Sequence, residues 1–158
     1  MTGRILAVDP GEKRIGLALS DPTGVIASPL SVLQHISRKA DAASIARLAE
    51  ENGAVRIIVG EALDDEGQPT PQARHAVLLT EAIREQTSLP VELWDESGST
   101  QAARASRIAM GVSRRKRSGH LDEIAAAVIL QSYLDALLDQ NRISPDGLTP
   151  LENMDEQR

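Results

Sequence analysis

An α/β fold is what the 158-residue sequence predicts: a mixed five-stranded sheet, three antiparallel strands and then two parallel ones, flanked by helices. Three observations carry this. Residues 4 to 21 hold two runs rich in Val, Ile and Leu around a Pro10-Gly11 turn, the pattern of a hairpin. The turn Asp21-Pro22-Thr23-Gly24 then leads into a short apolar run at 25 to 27, a third strand. From residue 37 onward helical and strand-like segments alternate, which implies β-α-β crossovers and parallel pairing with the first strand.

Each element has its own local reason. Ile5 to Val8 is apolar on both alternating faces, so the first strand is expected at the centre of the sheet, covered on both sides. Residues 29 to 36 have no clear period and read as an extended connection. Ile45, Leu48 and Ala49 share one face of a helix over 37 to 52, with Gly53 as its stop. A strand over 55 to 59 ends at Gly60, and a polar loop follows at the carboxyl end, where α/β sheets place ligands. Thr70-Pro71 reads as an N-cap with proline in the first helical position, opening a helix to about residue 86. A short strand over 91 to 94 ends in Asp95-Glu96. Ser99 caps a helix to about 110, and a basic loop spans 112 to 119. The last helix, over 121 to 138, is apolar nearly all round at its centre and is expected to be buried. Residues 1 to 140 thus form one domain, and 141 to 158 a polar tail.

Composition removes several classes of function. Cysteine is absent, which excludes disulfides, thiolate metal sites and a cysteine nucleophile, and fits a cytoplasmic protein. The first apolar run is short and interrupted by Asp9, so neither a signal peptide nor a membrane span is expected. With 1% aromatic residues and no Phe, extensive base stacking is excluded. A net charge of −6 argues against indiscriminate binding of polyanions, yet the basic run Arg114-Arg115-Lys116-Arg117 is a local positive patch. No serine sits in a nucleophile-elbow context. His35, His75 and His120 lack metal-ligand spacing; His75 reads as a solvated helix residue, and His120 as structural or as a neighbour of a substrate phosphate. Trp94 and Tyr133 read as core residues.

Carboxylates recur at the ends of elements. Asp9 ends the first strand, Asp95 and Glu96 the last, and Asp122 opens the final helix on the face of Ala125, Ala126 and Ile129. Each has a plain reading: Asp9 accepting N–H bonds from its turn, Asp122 complementing a helix dipole, Glu96 solvated in a loop. Convergence at one sheet edge gives the other. Repulsion among the three would favour a divalent cation, and an oxygen-only donor set suits Mg2+ or Mn2+, with Asp95 available to complete the count. Such cations support phosphodiester hydrolysis.

The hairpin Asp9-Pro10-Gly11-Glu12-Lys13-Arg14-Ile15-Gly16-Leu17-Ala18 resembles the opening motif of the YqgF/RuvX family. These are RuvC-like, ribonuclease H-fold proteins described as Holliday-junction-resolvase-like and as nucleases maturing the small-subunit ribosomal RNA precursor. Val59-Gly60 followed by Gly67 and Gln72-Ala73 is similar to the family's central glycine loop. Asp95-Glu96 is similar to its Asp-Glu motif, and Leu121-Asp122 with Ala125-Ala126 and Ile129-Leu130-Gln131 to its final helix. The resemblance covers residues 4 to 138. It implies a ribonuclease H-like fold in which Asp9, Glu96 and Asp122 are the metal-binding catalytic acids and Arg14 and the 114–117 run contact phosphates. The sequence departs from the pattern at Ser97-Gly98, where an arginine usually follows the Asp-Glu pair, and at Glu61-Ala62, where a Leu-Pro type of pair is common.

The expectation is therefore a divalent-metal-dependent endonuclease processing the 5′ end of pre-16S rRNA in ribosome biogenesis. Its partners would be structured RNA, branched DNA and ribosomal precursor particles, with the chain a monomer or weak homodimer away from any membrane. Three other readings compete: a Holliday-junction resolvase, a non-catalytic RNA-binding assembly factor and an actin-like nucleotide phosphotransferase. The last needs a second phosphate-binding domain, for which the sequence offers no glycine-rich loop.

Overall fold

The computed structural model describes residues 3–61, 68, 70–95 and 118–143, with side chains of the last segment over 124–140. In chain order these are β1 (Arg4–Pro10), β2 (Arg14–Ser20), β3 (Ala27–Gln34), α1 (Arg38–Glu51), β4 (Ala54–Glu61), α2 (Pro71–Arg84), β5 (Val91–Asp95) and α3 (Ser118–Ile143). The sheet order is β3-β2-β1-β4-β5, with β1 antiparallel to β2, β2 antiparallel to β3, and the β1-β4 and β4-β5 pairs parallel. The expected mixed five-stranded sheet is thus observed, and β1 lies at its centre.

Strict alternation along β1 divides the core in two. Leu6 and Val8 face α1 and α2, packing with Ile45, Ile57 and Leu79, whereas Ile5 and Ala7 face α3 with Ala18, Ile58, Ala126 and Leu130. Ala7, Ala18 and Ala126 are fully buried, and these small residues let α3 approach the strands closely. Each large aliphatic side chain removed from water here is worth about 1.5–3 kcal/mol. Midway along α3, Gln131 donates to the carbonyl of Val25 and accepts from the N–H of Ala27, both at 2.9 Å.

The helix caps fall where the sequence places them. Ser37 accepts from the N–H of Ala40, Thr70 accepts from that of Ala73 with Pro71 next in line, and Gly53 takes φ +69 after α1. Two elements differ from expectation. The third strand is not confined to 25–27 but runs from Ala27 to Gln34, through the stretch read as a connection. Pro29 disguises it, and the structure accommodates that proline on an edge strand, at a register irregularity opposite Leu17 and Ala18. Helix α3 exceeds the expected 121–138 at both ends, because extending an existing helix costs little. The helix expected over 99 to 110 and the tail from 144 onward lie outside the described residues. No helix among the described residues is long and apolar enough to cross a membrane.

Candidate functional site

Asp9 occupies the carboxyl-terminal rim of β1, half-buried. Alternation from Ala7 sets it on the α3 face of the sheet. Its partner in register on β2 is Gly16, which shares that face, and one step past the Val8–Val59 pair stands Gly60 on β4. The carboxylate therefore rises between two residues without Cβ atoms, each strand lying ~4.8 Å away. Arg14, half-buried, follows Gly16 by one alternation and lies on the same face.

The turn joining these strands is tight. A Cβ on Gly11 would lie 2.3 Å from the carbonyl oxygen of Arg14, so only glycine permits the close approach that sets Asp9 opposite Gly16.

The other expected ligands are placed less completely. Asp95 on β5 pairs in register with Glu61 on β4, and alternation from Trp94, which packs under α3, sets it on the opposite face from Asp9. Position 122 lies in the first turns of α3, where the backbone alone is described. Tyr133 and Gln131 fix the carboxyl-terminal half of α3 at the end of the sheet where β1 and β4 begin. The helix packs along β1 and β2, which carries its earlier turns toward the Asp9 rim; position 122 is four residues, ~6 Å, beyond Ala126. Glu96 and the run Arg114, Arg115, Lys116 and Arg117 lie outside the described residues. Among the described residues no three acidic, His or Cys side chains converge as a metal site. Of the three expected ligands, only Asp9 has its side chain described. What is described fits a hard cation in donor type: a carboxylate oxygen at the carboxyl-terminal rim of the central strand.

The sequence does not single out a pair on the other side of this rim. Asp41, 2% exposed in the first turn of α1, accepts from the N–H of Ile36 at 3.0 Å and binds Nδ1 of His35. His75 is not a freely solvated side chain: it is half-buried, its ring edge-on to that of His35 at 6.4 Å. Burial, then the positive fields of Arg38 and His35, lower its pKa below the usual imidazole value, against an opposing pull from Asp41 and Glu12. The pairing arises when the end of β3 folds onto α1, and no periodicity in the sequence encodes it.

Known proteins match this chain over nearly all its described length. The family model described as "RuvX: Holliday junction resolvase" matches residues 3–136. A Desulforamulus reducens protein named "Putative pre-16S rRNA nuclease" is 40% identical over 133 residues, covering 84% of this chain and 97% of that one. Proteins of the same name from Clostridioides difficile and an Anaeromyxobacter species are 35% and 43% identical over 135 and 132 residues, covering 85% and 84% of this chain and 96% of each relative. Among solved structures, Thermus thermophilus RuvC bound to a Holliday junction substrate superposes with TM-score 0.56 at 13% identity, over 85% of this chain and 95% of that one. The fowlpox virus Holliday junction resolvase gives 0.50 at 20%, over 85% and 99%. These likenesses show the fold, a RuvC-like, ribonuclease H-like sheet.

Proposed function

The chain belongs to the RuvX family of nucleases, and from that premise we propose that it is an endonuclease of structured RNA, processing the 5′ end of pre-16S rRNA in the cytoplasm with Mg2+ or Mn2+. The observation that carries this is Asp9 at the carboxyl-terminal rim of β1, flanked in register by Gly16 and Gly60 and on the face shared with Arg14. Asp9, Glu96 and Asp122 would hold the cation. Two features support that set. Glu92 and Trp94 lie on the α3 side of β5, which leaves Asp95 on the opposite face from Asp9. Position 122 falls on the helical stripe of Ala126 and Ile129, both buried against the sheet.

When bound, a cation of this kind activates water and stabilises the leaving oxygen. The chain's own residues supply the rest. Gly16 and Gly60, both buried, put no side chain directly beside the carboxylate in register, and the side chain that β2 offers on this face is Arg14. Arg14, on the same face as Asp9, would neutralise a phosphate oxygen, and Arg114 to Arg117 would hold the backbone. Phosphate contacts carry no sequence information, so selectivity rests on the shape of the nucleic acid.

The test is cleavage mapping on precursor 16S RNA and a four-way DNA junction, with Mg2+ or Mn2+, comparing wild type with Asp9→Asn. The proposal expects RNA cleavage that Asp9→Asn abolishes while melting as wild type does. Equal cleavage by the two proteins removes it. Preference for the junction moves the assignment to a resolvase. Ser97, standing where the family usually has arginine, supports a second reading as an RNA-binding assembly factor, for which tight RNA binding without metal-dependent product is the signature.

A further inference from the structure

Around the rim from Asp9, on the α1/α2 side of the sheet, lies a cleft of about 250 Å³ lined by Pro10, Glu12, His35, Pro71, Gln72 and His75. The chemistry at Asp9 does not use it. It opens directly beside Pro10, the residue that follows Asp9 in the chain.

Its lining selects among the groups a nucleic acid can offer. Stacking surfaces are scarce in this chain, which has one Trp, one Tyr and no Phe. Trp94 and Tyr133 meet edge to face at 5.3 Å beneath α3 and belong to the core. The three imidazoles are the remaining planar rings, and two of them meet in this cleft. The ring of His35 is held in place by buried Asp41, so its orientation is set before any ligand arrives. Pro10 and Pro71 add flat apolar walls. Gln72 offers a donor and an acceptor in one amide, and Glu12 an acceptor, the complement that base edges require. Around His75 the positive fields of Arg38 and His35 are set against the carboxylates of Asp41 and Glu12, so the cleft is of mixed charge and not a cluster of cations.

We propose that this cleft receives one unstacked nucleobase of the strand whose phosphate lies at Asp9, a subsite for a nucleotide flanking the cut. The subsite rests on the nuclease reading above. It gives a protein with almost no aromatic residues a means of gripping single-stranded or splayed nucleotides, and it makes the Asp41–His35 pair a recognition device.

With three histidines in the chain, the imidazole Cε1–H signals of the full-length protein can be resolved by NMR and assigned with His35→Gln and His75→Gln. Adenosine, uridine and a short single-stranded RNA are expected to shift the His35 and His75 signals saturably, while inorganic phosphate leaves them in place. Phosphate acting as the nucleosides do would make the cleft an anion site and overturn the proposal, as would silence with both nucleosides and RNA. Gln72→Ala and His75→Ala are expected to weaken single-stranded RNA binding by about fivefold or more, the low end for a stacked base, with melting midpoints near wild type; unchanged binding counts against the subsite. Loss of cleavage in Asp9→Asn with unmoved imidazole signals sinks the subsite alone. Moved signals with Asp9→Asn cleaving as wild type sink the nuclease reading and leave the binding pocket.

Discussion

Asp9 on β1 stands directly opposite Gly16 on β2, and the two share the face that α3 covers. A methyl group at position 16 would project beside the carboxylate, into the space assigned to cation and phosphate. Alanine is about 0.5–1 kcal/mol better than glycine within a strand, but position 16 is buried, so Gly16→Ala should cost about 1–3 kcal/mol of overpacking. Cleavage should fall about 10- to 100-fold, the scale of a displaced reacting group. Urea unfolding and single-turnover cleavage on the same preparation check both.

Gly11→Ala acts through the turn instead. Its Cβ would meet the carbonyl of Arg14 at 2.3 Å, so the turn must move, and with it Asp9 and Arg14 together. Overpacking of this kind costs about 1–3 kcal/mol. Both the unfolding midpoint and the cleavage rate should drop, and a variant that keeps either would show that the turn relaxes locally.

Tyr133 anchors α3 to the sheet: its hydroxyl donates to Glu92 and accepts from Arg56 at 3.1 Å. Burial first, then the Glu92 carboxylate, push its pKa up to about 12. The sign follows from linkage. Between the unfolded value near 10 and the folded value the unfolded chain has lost a proton that the native state keeps, so this contribution is intact below pH ~10 and is lost as pH rises toward ~12. As the chain has a single tyrosine, an ultraviolet phenolate titration reads it directly. Tyr133→Phe leaves Arg56 short of a partner in a site where its Nε already lacks one, and should cost about 1–3 kcal/mol in urea unfolding.

Binding of single-stranded RNA should weaken steeply with salt. Replacing Arg114, Arg115, Lys116 and Arg117 by alanine should flatten the log-log slope by about 0.7 for each phosphate contact removed, and Arg14→Ala by one such step. An unchanged slope would free the 114–117 run from the interface.

The sequence reveals those parts of the fold that are local. Thr70 and Pro71 announce the start of α2 by their chemistry, and the apolar runs of β1 and β2 announce a central hairpin. Asp9 is legible for the same reason, as a charge placed directly after a buried strand. β3 is not, because Pro29 breaks its pattern and only the edge position makes the proline harmless. The Asp41–His35 contact is likewise hidden: it joins the end of one element to the first turn of the next, and neither residue type announces it. Gly16 and Gly60 are visible as letters, but their placement on either side of Asp9 exists only once the register is known.

The contact of Gln131 with Val25 and Ala27 spans more than a hundred residues of chain. During synthesis the apolar floor made by Ile5, Ala7, Ala18 and Ile58 emerges long before the helix that roofs it. A nascent or truncated chain ending before residue 118 would display that floor to its neighbours, a sticky intermediate of the kind chaperones shield. The last helix thus acts as the closing lid of assembly, and damage to it threatens solubility as well as catalysis.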